Sequence, residues 1–424
     1  MSASLDYLHS LTNFESHLHQ VSSQDFQLHR VKDLLDAVGN PQQHLTVIHV
    51  AGTKGKGSTC AMLASILQQA GFKVGLYTSP HLHRVNERIR ILDRHNQFSA
   101  DDFSGCISDE ALSQLINEVR PAIASIENKG GFITYFEALT VIAGLYFARQ
   151  HVDYAILETG LGGRLDATNA FDSMIAVITP ISLDHTKILG DSLAKIAAEK
   201  AGIIKSSKQK LVIAPQEASV MQVIKARARE FGIQPIEVHP TQEQPLHLAL
   251  KGAHQTVNAS CALAVVDLLN QPNRIITKEA ADEGLKRVRW QGRFEVLAKN
   301  PTVVVDGAHN PAAAQVLAKT VQDEYRQHRI ILVLGLSGDK DIAGVCKPLA
   351  LISDHIILTK ADHPRSHVFS KEEAQTIFTG KKWVLSKDVK EALALAKAEA
   401  KKDDVIVVTG SLFVVGQTRD LIKK

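Results

Sequence analysis

Short runs of apolar, mostly β-branched residues alternate with helix-like patterns along the chain. The first series of runs occupies residues 46–50, 74–77, 154–157, 175–179 and 211–214. A second series occupies residues 302–305, 330–334, 355–358 and 405–408. Near-continuous apolar strands separated by helices are typical of parallel sheets covered on both faces. The pattern therefore predicts an α/β protein with two sheets.

Residues 287–295 lie between the two series of strands. They mix charged residues with Trp290 and Gly292 and show no clear hydrophobic period. We place the domain junction there, which predicts a larger N-terminal domain over residues 1–291 and a smaller C-terminal α/β domain over residues 292–424. A length of 424 residues agrees with this division, because domains usually contain roughly 100–200 residues. We expect a cleft between the two domains.

Composition and charge exclude several classes of protein. Hydrophobic residues make up 45% of the chain, which is enough for a sizeable core and excludes a disordered or fibrous protein. The 48 Lys and Arg residues against 45 Asp and Glu give a net charge of +3, so the general basicity of nonspecific nucleic-acid binding is absent. We expect no nucleic-acid partner.

Cysteine spacing and apolar segment length bear on location. The four cysteines are scattered and contain no C-x-x-C pair, so they predict neither a disulfide framework nor a zinc site but small buried side chains. The N-terminal residues have no sustained apolar core, and the longest apolar stretch, residues 138–148, is far below the roughly 20 residues that span a bilayer. We expect a soluble, cytoplasmic protein without a membrane partner.

A glycine-rich loop follows the first apolar run. In open α/β sheets, ligands bind beyond the carboxyl ends of the strands, and here that place is occupied by Gly52, Thr53, Lys54, Gly55, Lys56, Gly57, Ser58 and Thr59. The loop departs from GxxxxGK[ST], since Val50 occupies the first glycine position and Gly57 separates Lys56 from Ser58. Backbone N–H groups at a helix start would cradle phosphates, with Lys56 on the outer phosphates and Ser58 or Thr59 on Mg²⁺. A plain strand-to-helix turn is the alternative.

Three metal-binding residue types follow three other strands at the same edge. They are Ser79, Glu158 and His185. Taken alone, a carboxylate such as Glu158 at a strand end is more often a helix cap or a solvated side chain, and His185 is more often a satisfied histidine than a ligand. Ser79 alone indicates almost nothing. Together, beside a phosphate loop, they predict a site for a Mg²⁺-nucleotide.

Lys200 occupies an unusual place on a predicted helix over residues 192–202. Helical spacing puts it on the inward stripe with Leu193, Ile196 and Ala197. A functional buried amine and a side chain that snorkels to solvent are both open interpretations.

The motifs resemble those of the folylpolyglutamate synthase/dihydrofolate synthase family, which are Mur-ligase-like ATP-dependent amide ligases. The resemblance covers nearly the whole chain, and Lys54 stands where many members have Asn. The motifs that carry it are the phosphate loop and the segments 77–82, 86–89, 134–137, 158–169, 183–186, 199–203, 252–258, 292–295 and 306–311.

The resemblance implies a fold, a reaction and a set of cofactors. The fold is an N-terminal P-loop-type, mostly parallel sheet domain followed by a smaller Rossmann-like domain, with the active site in the interdomain cleft. ATP would phosphorylate a pteroate or folate carboxylate, and L-glutamate would displace phosphate from this acyl phosphate to form an amide. Ser58, Ser79 and Glu158 would serve one Mg²⁺ and His185 a second. Lys200 would be carbamylated and support the metal site.

Further site residues and partners are implied in the same way. Asn258 would lie on the adenine side and Arg293 would reach the phosphates, while Asp306 and His309 would close over the ATP terminus and the incoming glutamate. The partners would be small molecules, and the protein a monomer. The pterin would be surrounded by Thr134, Phe136 and Asp166.

The presence of these three residues favours an enzyme with both synthase activities. A synthase that only extends the glutamate chain is the next interpretation. A peptidoglycan Mur ligase and a nucleotide-gated interaction protein without ligase activity are less favoured alternatives.

Overall fold

The computed structural model describes residues 2–15, 21–98, 103–240, 246–271 and 275–423. The chain forms two compact units, one made of Met1–Ala249 with Gln255–Arg289 and the other of Leu250–His254 with Trp290–Lys424. Residues 250–254, which the sequence had placed in the first domain, thus belong to the second unit. A domain boundary between residues 291 and 292 stays a prediction, as does an active site in a cleft between the domains.

The first unit contains a seven-stranded, mostly parallel sheet in the order β3-β2-β4-β1-β5-β6-β7. Only β3 is antiparallel to its neighbour. The strands are β1 Val47–Ala51, β2 Val74–Tyr77, β3 Ile89–Leu92, β4 Tyr154–Glu158, β5 Ser173–Ile178, β6 Lys210–Ile213 and β7 Ile236–Glu237. The five predicted strands are confirmed to within two residues. Two strands were not predicted, namely β3, which contains Arg90, and β7, which has only two residues.

Helices cover both faces of this sheet. They are α1 Ser2–Ser10, α2 Leu28–Ala37, α3 Lys56–Gln69, α4 Asp109–Glu127, α5 Tyr135–Arg149, α6 Thr186–Leu189, α7 Leu193–Ala201, α8 Ala218–Glu230, α9 His254–Leu269 and α10 Lys278–Arg287. Helix α3 is buried on all sides from Ser58 to Gln68. It packs against α10, where Ser65 Oγ donates to the Gly284 carbonyl at 2.8 Å. Burial fixes the helix that follows the glycine-rich loop.

The second unit contains a six-stranded sheet in the order β12-β11-β10-β13-β9-β8, parallel except at the β8–β9 pair. The strands are β8 Glu295–Ala298, β9 Thr302–Asp306, β10 Ile330–Leu334, β11 His355–Leu358, β12 Lys382–Leu385 and β13 Val405–Thr409. The helices are α11 Pro311–Glu324, α12 Ile342–Ile352, α13 Lys371–Ile377, α14 Val389–Glu399 and α15 Leu412–Lys423. The four predicted strands are confirmed. The strands that were not predicted, β8 and β12, are the two edges of the sheet and are half exposed.

Cys60, Cys261 and Cys346 are free and buried, as predicted, whereas Cys106 is half-buried. Among the described helices, none combines the length and apolar character needed to cross a membrane.

Candidate active site

The glycine-rich loop connects β1 to α3, as the sequence predicts. The backbone N–H groups of Thr53 and Lys54 both donate to the Pro180 carbonyl, at 3.0 and 3.1 Å. Thr53 Oγ1 donates to the Ser182 carbonyl at 3.1 Å. The segment after β5 therefore holds the start of the loop, and α3 begins at Lys56. The N-terminus of a helix is a favourable place for phosphate, because its first N–H groups have no partner within the helix.

Two glycines of the loop are required by close packing. Gly52 has φ +152° and Gly55 has φ +81°. A Cβ atom on Gly52 would lie 1.9 Å from Thr179 Oγ1, and one on Gly55 would lie 2.1 Å from Asn258 Oδ1. Neither distance is possible for a real side chain, so the backbone is pressed against its neighbours at both positions.

We expect Gly55→Ala to weaken ATP binding by about tenfold or more and to lower the melting temperature, because positive φ strains alanine and its methyl group collides with buried Asn258. The matched control is Gly39→Ala, since Gly39 has φ +84° but a Cβ there would meet nothing within 4 Å. Nucleotide titration and thermal unfolding of both variants measure the effect. Equal ATP affinities in the two variants would contradict the expectation.

Lys56, Ser79 and Glu158 are brought together at the carboxyl edge of the sheet. Glu158 is 5% exposed, its Oε2 accepts a hydrogen bond from the Ser79 N–H at 3.3 Å, and its Oε1 lies 4.0 Å from Lys56 Nζ. The alternative in which Glu158 is merely solvated is therefore wrong. The carboxylate faces both the phosphate loop and the segment that follows β2.

A second chain of polar contacts reaches the loop from α9. Asn258 Nδ2 donates to Gln255 Oε1 at 2.8 Å, and Gln255 Nε2 lies 3.5 Å from Ser58 Oγ. Asn258 is buried and packs directly against Gly55. These contacts connect Asn258 with the phosphate loop.

The donor set at this edge suits Mg²⁺ in kind. Ser58 and Ser79 provide hydroxyl oxygens and Glu158 a carboxylate, and hard cations prefer oxygen ligands. Within the described ranges, no three His, Cys, Asp or Glu side chains cluster as a metal site, so a metal here would depend on hydroxyl groups and on the nucleotide. His185 lies in the loop after β5 with φ +49°, and its Nε2 is 3.8 Å from Asp184 Oδ1.

Lys200 is buried beneath the loop. It lies on α7 with the buried Ile196 and Ala197, and Ser192 caps the helix by accepting from the Lys195 N–H. The Lys200 side chain does not snorkel to solvent, because the residue is 4% exposed and its Nζ donates to the Gly52 carbonyl at 2.8 Å. Burial and the nearby charge of Lys56 lower the pKa of Lys200 to about 7. The amine is thus partly neutral near neutral pH.

Two of the three predicted pterin residues make structural hydrogen bonds. Thr134 and Glu137 form a reciprocal cap at the start of α5, with Thr134 Oγ1 accepting from the Glu137 N–H at 3.2 Å. Asp166 Oδ2 accepts from the Leu161 N–H at 2.8 Å, and its Oδ1 accepts from the Thr168 N–H at 3.1 Å. Burial raises the pKa of Asp166. Both residues shape the backbone around the end of β4 and the start of α5.

Phe136 lies at the same place. Its ring centre is 5.8 Å from that of Tyr77, and a Cβ on Gly160 would lie 2.7 Å from its Cζ. The half-buried ring thus packs over the glycine that follows Thr159, near the Leu161 N–H that donates to Asp166. The Phe136 ring and the Asp166 carboxylate thus lie against neighbouring residues of the same loop, Gly160 and Leu161.

A buried arginine near these residues was not predicted. Arg88 is 2% exposed and binds both carboxylate oxygens of Glu15 at 2.8 and 2.6 Å, while its Nε donates to His81 Nδ1 at 2.9 Å. Burial and the charge of Arg88 lower the pKa of His81 to about 4, so His81 is neutral. Arg88 directly precedes β3, and the antiparallel pairing of Tyr77 with Ile89 brings it to the carboxyl end of β2. The motif at residues 86–89 contains this arginine, but only the tertiary structure shows that it binds Glu15 and His81.

The predicted residues of the second unit lie on two adjoining loops. Asp306 ends β9, its Oδ2 accepts from the Phe294 N–H at 2.8 Å, and its Oδ1 accepts from the Ala308 N–H at 2.9 Å. The Asp306 side chain therefore forms an Asx turn, and α11 begins at Pro311. Burial raises the pKa of Asp306.

Arg293 and His309 flank this aspartate. Arg293 Nη1 donates to the Gly292 carbonyl at 3.1 Å, and His309 Nδ1 lies 2.8 Å from the Gly307 carbonyl oxygen. The Gly307 N–H also donates to the Gly292 carbonyl, at 2.9 Å. The loops at 290–294 and 306–310 thus form one hydrogen-bonded assembly.

Comparison with known proteins gives consistent matches over both units. Residues 50–239 match the Mur ligase middle domain, and residues 292–412 match the Mur ligase glutamate ligase domain. The dihydrofolate synthase/folylpolyglutamate synthase of Bacillus subtilis is 33% identical over 422 residues, covering 93% of this chain and 95% of that protein.

Solved structures match as well. The structure of Escherichia coli FolC in complex with DHPP and ADP has a TM-score of 0.83 and 31% identity, covering 100% of this chain and 97% of that one. The Mycobacterium tuberculosis folylpolyglutamate synthase complexed with ADP has a TM-score of 0.86 and 30% identity, covering 100% and 99%. The similarity covers at least 95% of the length of each of these three relatives.

Proposed function

Because this chain belongs to the dihydrofolate synthase/folylpolyglutamate synthase family of Mur ligases, we propose that it uses ATP to ligate L-glutamate to dihydropteroate and to reduced folates. The observation that carries the proposal is the phosphate loop, in which Lys56 faces the Glu158 carboxylate and the Gly52 carbonyl accepts from the buried Lys200 amine. This arrangement occurs in a chain similar throughout to FolC in complex with DHPP and ADP.

The reaction needs an activated carboxylate. The substrate carboxylate attacks the terminal phosphorus of ATP, ADP leaves, and an acyl phosphate forms. The glutamate amine then attacks the acyl carbon, loses a proton, and displaces inorganic phosphate as the amide forms. Lys56 and the N–H groups at the start of α3 bind the phosphates and offset their charge.

We propose that Mg²⁺ is held by Ser58, Ser79 and Glu158, with His185 serving a second ion. The oxygen-rich donor set described above supports the first assignment. Bound Mg²⁺ would neutralise charge on the nucleotide and on the group being transferred. Glu158 also orients the Ser79 segment through the Ser79 N–H.

The lowered pKa of the Lys200 amine supports its carbamylation. Carbamylation requires a neutral amine, which attacks CO₂ to form the N–C bond and releases a proton, leaving an anion. Most lysines are protonated at neutral pH, but the pKa of Lys200 is lowered to about 7 by burial and by Lys56. An anion there would face the loop and could support a metal ion.

The remaining site residues are proposed from the second unit and from α9. Arg293 would bind the ATP phosphates, and Asp306 and His309 would act on the ATP terminus and the glutamate amine. Asn258 would bind the nucleotide, which its contact with Gly55 supports. Closure of the domains would exclude water from the acyl phosphate.

We propose both synthase activities, with Thr134, Phe136 and Asp166 around the pterin. If Phe136 stacks on the pterin, Phe136→Ala should raise the KM for dihydropteroate by about tenfold, as expected for a lost aromatic stacking contact. Phe132→Ala is the control, since Phe132 is an exposed aromatic residue shortly before α5. Steady-state kinetics with dihydropteroate test this, and equal KM values in both variants would exclude stacking by Phe136.

Omission experiments test the proposed function as a whole. Phosphate should be released only when ATP, Mg²⁺, L-glutamate and a pteroate-type acid are all present. Turnover of a UDP-muramyl precursor instead would indicate the peptidoglycan reaction. Nucleotide binding without any acceptor-dependent phosphate release would favour a nucleotide-gated interaction protein. Turnover of folates without dihydropteroate would indicate the folylpolyglutamate synthase activity alone.

We propose a cytoplasmic monomer whose partners are these small molecules. The free, buried thiols of Cys60, Cys261 and Cys346 support a reducing compartment.

A further inference from the structure

The loop that carries Arg293 is held by an ion pair between the half-buried Glu295 and the buried Arg419. Glu295 Oε2 accepts a hydrogen bond from the Gly292 N–H at 2.9 Å. The same oxygen pairs with Arg419 Nη1 of the C-terminal helix α15. The Arg419 side chain is only 1% exposed and is the largest fully buried side chain among the described residues. A charged residue this deeply buried needs a partner, and Glu295 is one.

The other side of the same loop is held by the Asp306 turn. The Phe294 N–H donates to Asp306 Oδ2, and the Gly292 carbonyl accepts from both the Gly307 N–H and Arg293 Nη1. A Cβ on Gly307 would lie 2.8 Å from Arg293 Nη1. The Arg293 guanidinium therefore lies against Gly307, and both backbone polar groups of Gly292 are fixed.

Two cations contact Glu295, but they differ in environment. Lys423 Nζ lies 3.6 Å from Glu295 Oε1 and its side chain is 38% exposed, whereas the Arg419 side chain is buried. Water and salt weaken an exposed ion pair much more than a buried one. Removal of Arg419 would take the more buried of these two cations away from the half-buried Glu295 carboxylate, which favours movement of Glu295 toward solvent and away from Gly292.

We propose that Arg419 is a positioning residue for nucleotide binding: through Glu295 it fixes Gly292 and thereby aims the Arg293 guanidinium at the ATP phosphates. The proposal rests on the proposed function only in that Arg293 binds ATP. Arg419 itself is not proposed to touch substrate or nucleotide. It acts from the C-terminal helix.

The test is a double-mutant cycle on KM for ATP. Arg419→Met should raise the KM for ATP by about tenfold, the scale of one charge-assisted hydrogen bond, and leave the KM for the folate substrate unchanged. Lys423→Met, which removes the exposed cation from the same carboxylate, should change the KM for ATP by less than about twofold. In an Arg293→Met background, Arg419→Met should have almost no further effect, because the group that it positions is gone.

The outcomes separate this inference from the proposed function. A wild-type protein without glutamate-dependent phosphate release would refute the proposed function. An active wild type in which Arg293→Met raises the KM for ATP but Arg419→Met does not would overturn the positioning role. Equal effects of Arg419→Met with and without Arg293 would also overturn it.

The positioning role of Arg419 can be tested even if the Arg419→Met variant does not fold. If Arg419→Met is insoluble, Arg419→Lys keeps a charge near Glu295 but loses the planar fork. It should then raise the KM for ATP in the wild-type background and not in the Arg293→Met background. An unchanged KM for ATP in Arg419→Lys, with a lowered melting temperature, would show a purely structural role.

Discussion

Lys200→Ala is expected to lower kcat for ligation by on the order of a thousandfold while ATP binding is retained, as for loss of a main electrostatic group in an active site. Lys200 lies under the phosphate loop with its amine on the Gly52 carbonyl. Its removal takes away the group that is proposed to become an anion beside the metal. The loop keeps its contacts with Pro180 and Ser182, so it should still accept nucleotide.

Lys195→Ala is the matched control for Lys200→Ala. Lys195 lies on the same helix, but its side chain is 64% exposed and pairs with the exposed Asp191. Its loss should leave kcat within about twofold of wild type. Steady-state kinetics and nucleotide titration measure both variants. Ligation at the wild-type rate in Lys200→Ala would contradict the assigned role, as would loss of nucleotide binding equal to the loss of turnover.

The pH dependence of the Lys200 carbamate gives an independent readout. The lowered pKa, about 7, means that the amine gains a proton as the pH falls through about 7 and can then no longer react with CO₂. The carbamate, followed by carbon-labelled bicarbonate and magnetic resonance, should form above this pH and be lost below it. Its signal should be absent from Lys200→Ala and present in Lys195→Ala.

Glu158→Gln should lower Mg²⁺-dependent turnover by on the order of a hundredfold and raise the Mg²⁺ concentration for half-maximal activity. The substitution removes the charge but leaves an oxygen that can accept the Ser79 N–H, so folding should be retained. His185→Ala should also lose Mg²⁺-dependent activity, since His185 is proposed to serve the second ion. Mg²⁺ titrations of the rate, with thermal unfolding as the folding check, measure both.

Glu118→Gln serves as the control for Glu158→Gln, because Glu118 is an exposed carboxylate paired with Arg149 on the surface. It should show a wild-type Mg²⁺ dependence. Unchanged turnover in both Glu158→Gln and His185→Ala would refute the metal assignment.

The sequence predicted those parts of the fold that depend on continuous burial. Strands such as Ile330–Leu334 are buried at every position and are read directly from an apolar run. Lys200 was placed correctly on an inward helical stripe because helical spacing groups it with the buried Ile196 and Ala197. Edge strands such as Glu295–Ala298 and Lys382–Leu385 are half exposed and mixed in composition, so no apolar run marks them.

The features that could not be predicted depend on contacts between distant segments. Arg88 contacts Glu15, 73 positions away, and His81, and the antiparallel pairing of β3 with β2 places it there. Position 55 requires a glycine because the side chain of Asn258, more than two hundred positions later in the chain, leaves no room for a Cβ atom. Arg419 of the C-terminal helix similarly pairs with Glu295 of strand β8, 124 positions earlier in the chain.

The proposed reaction forms an amide between glutamate and a pteroate-type acid at the expense of ATP. The most direct test is mass spectrometry of the products after incubation with dihydropteroate, isotope-labelled L-glutamate, ATP and Mg²⁺. We expect dihydrofolate that carries one labelled glutamate, with one phosphate released for each amide formed, and further labelled glutamyl residues when a reduced folate is supplied. ATP hydrolysis without any glutamyl product from either acid would contradict it.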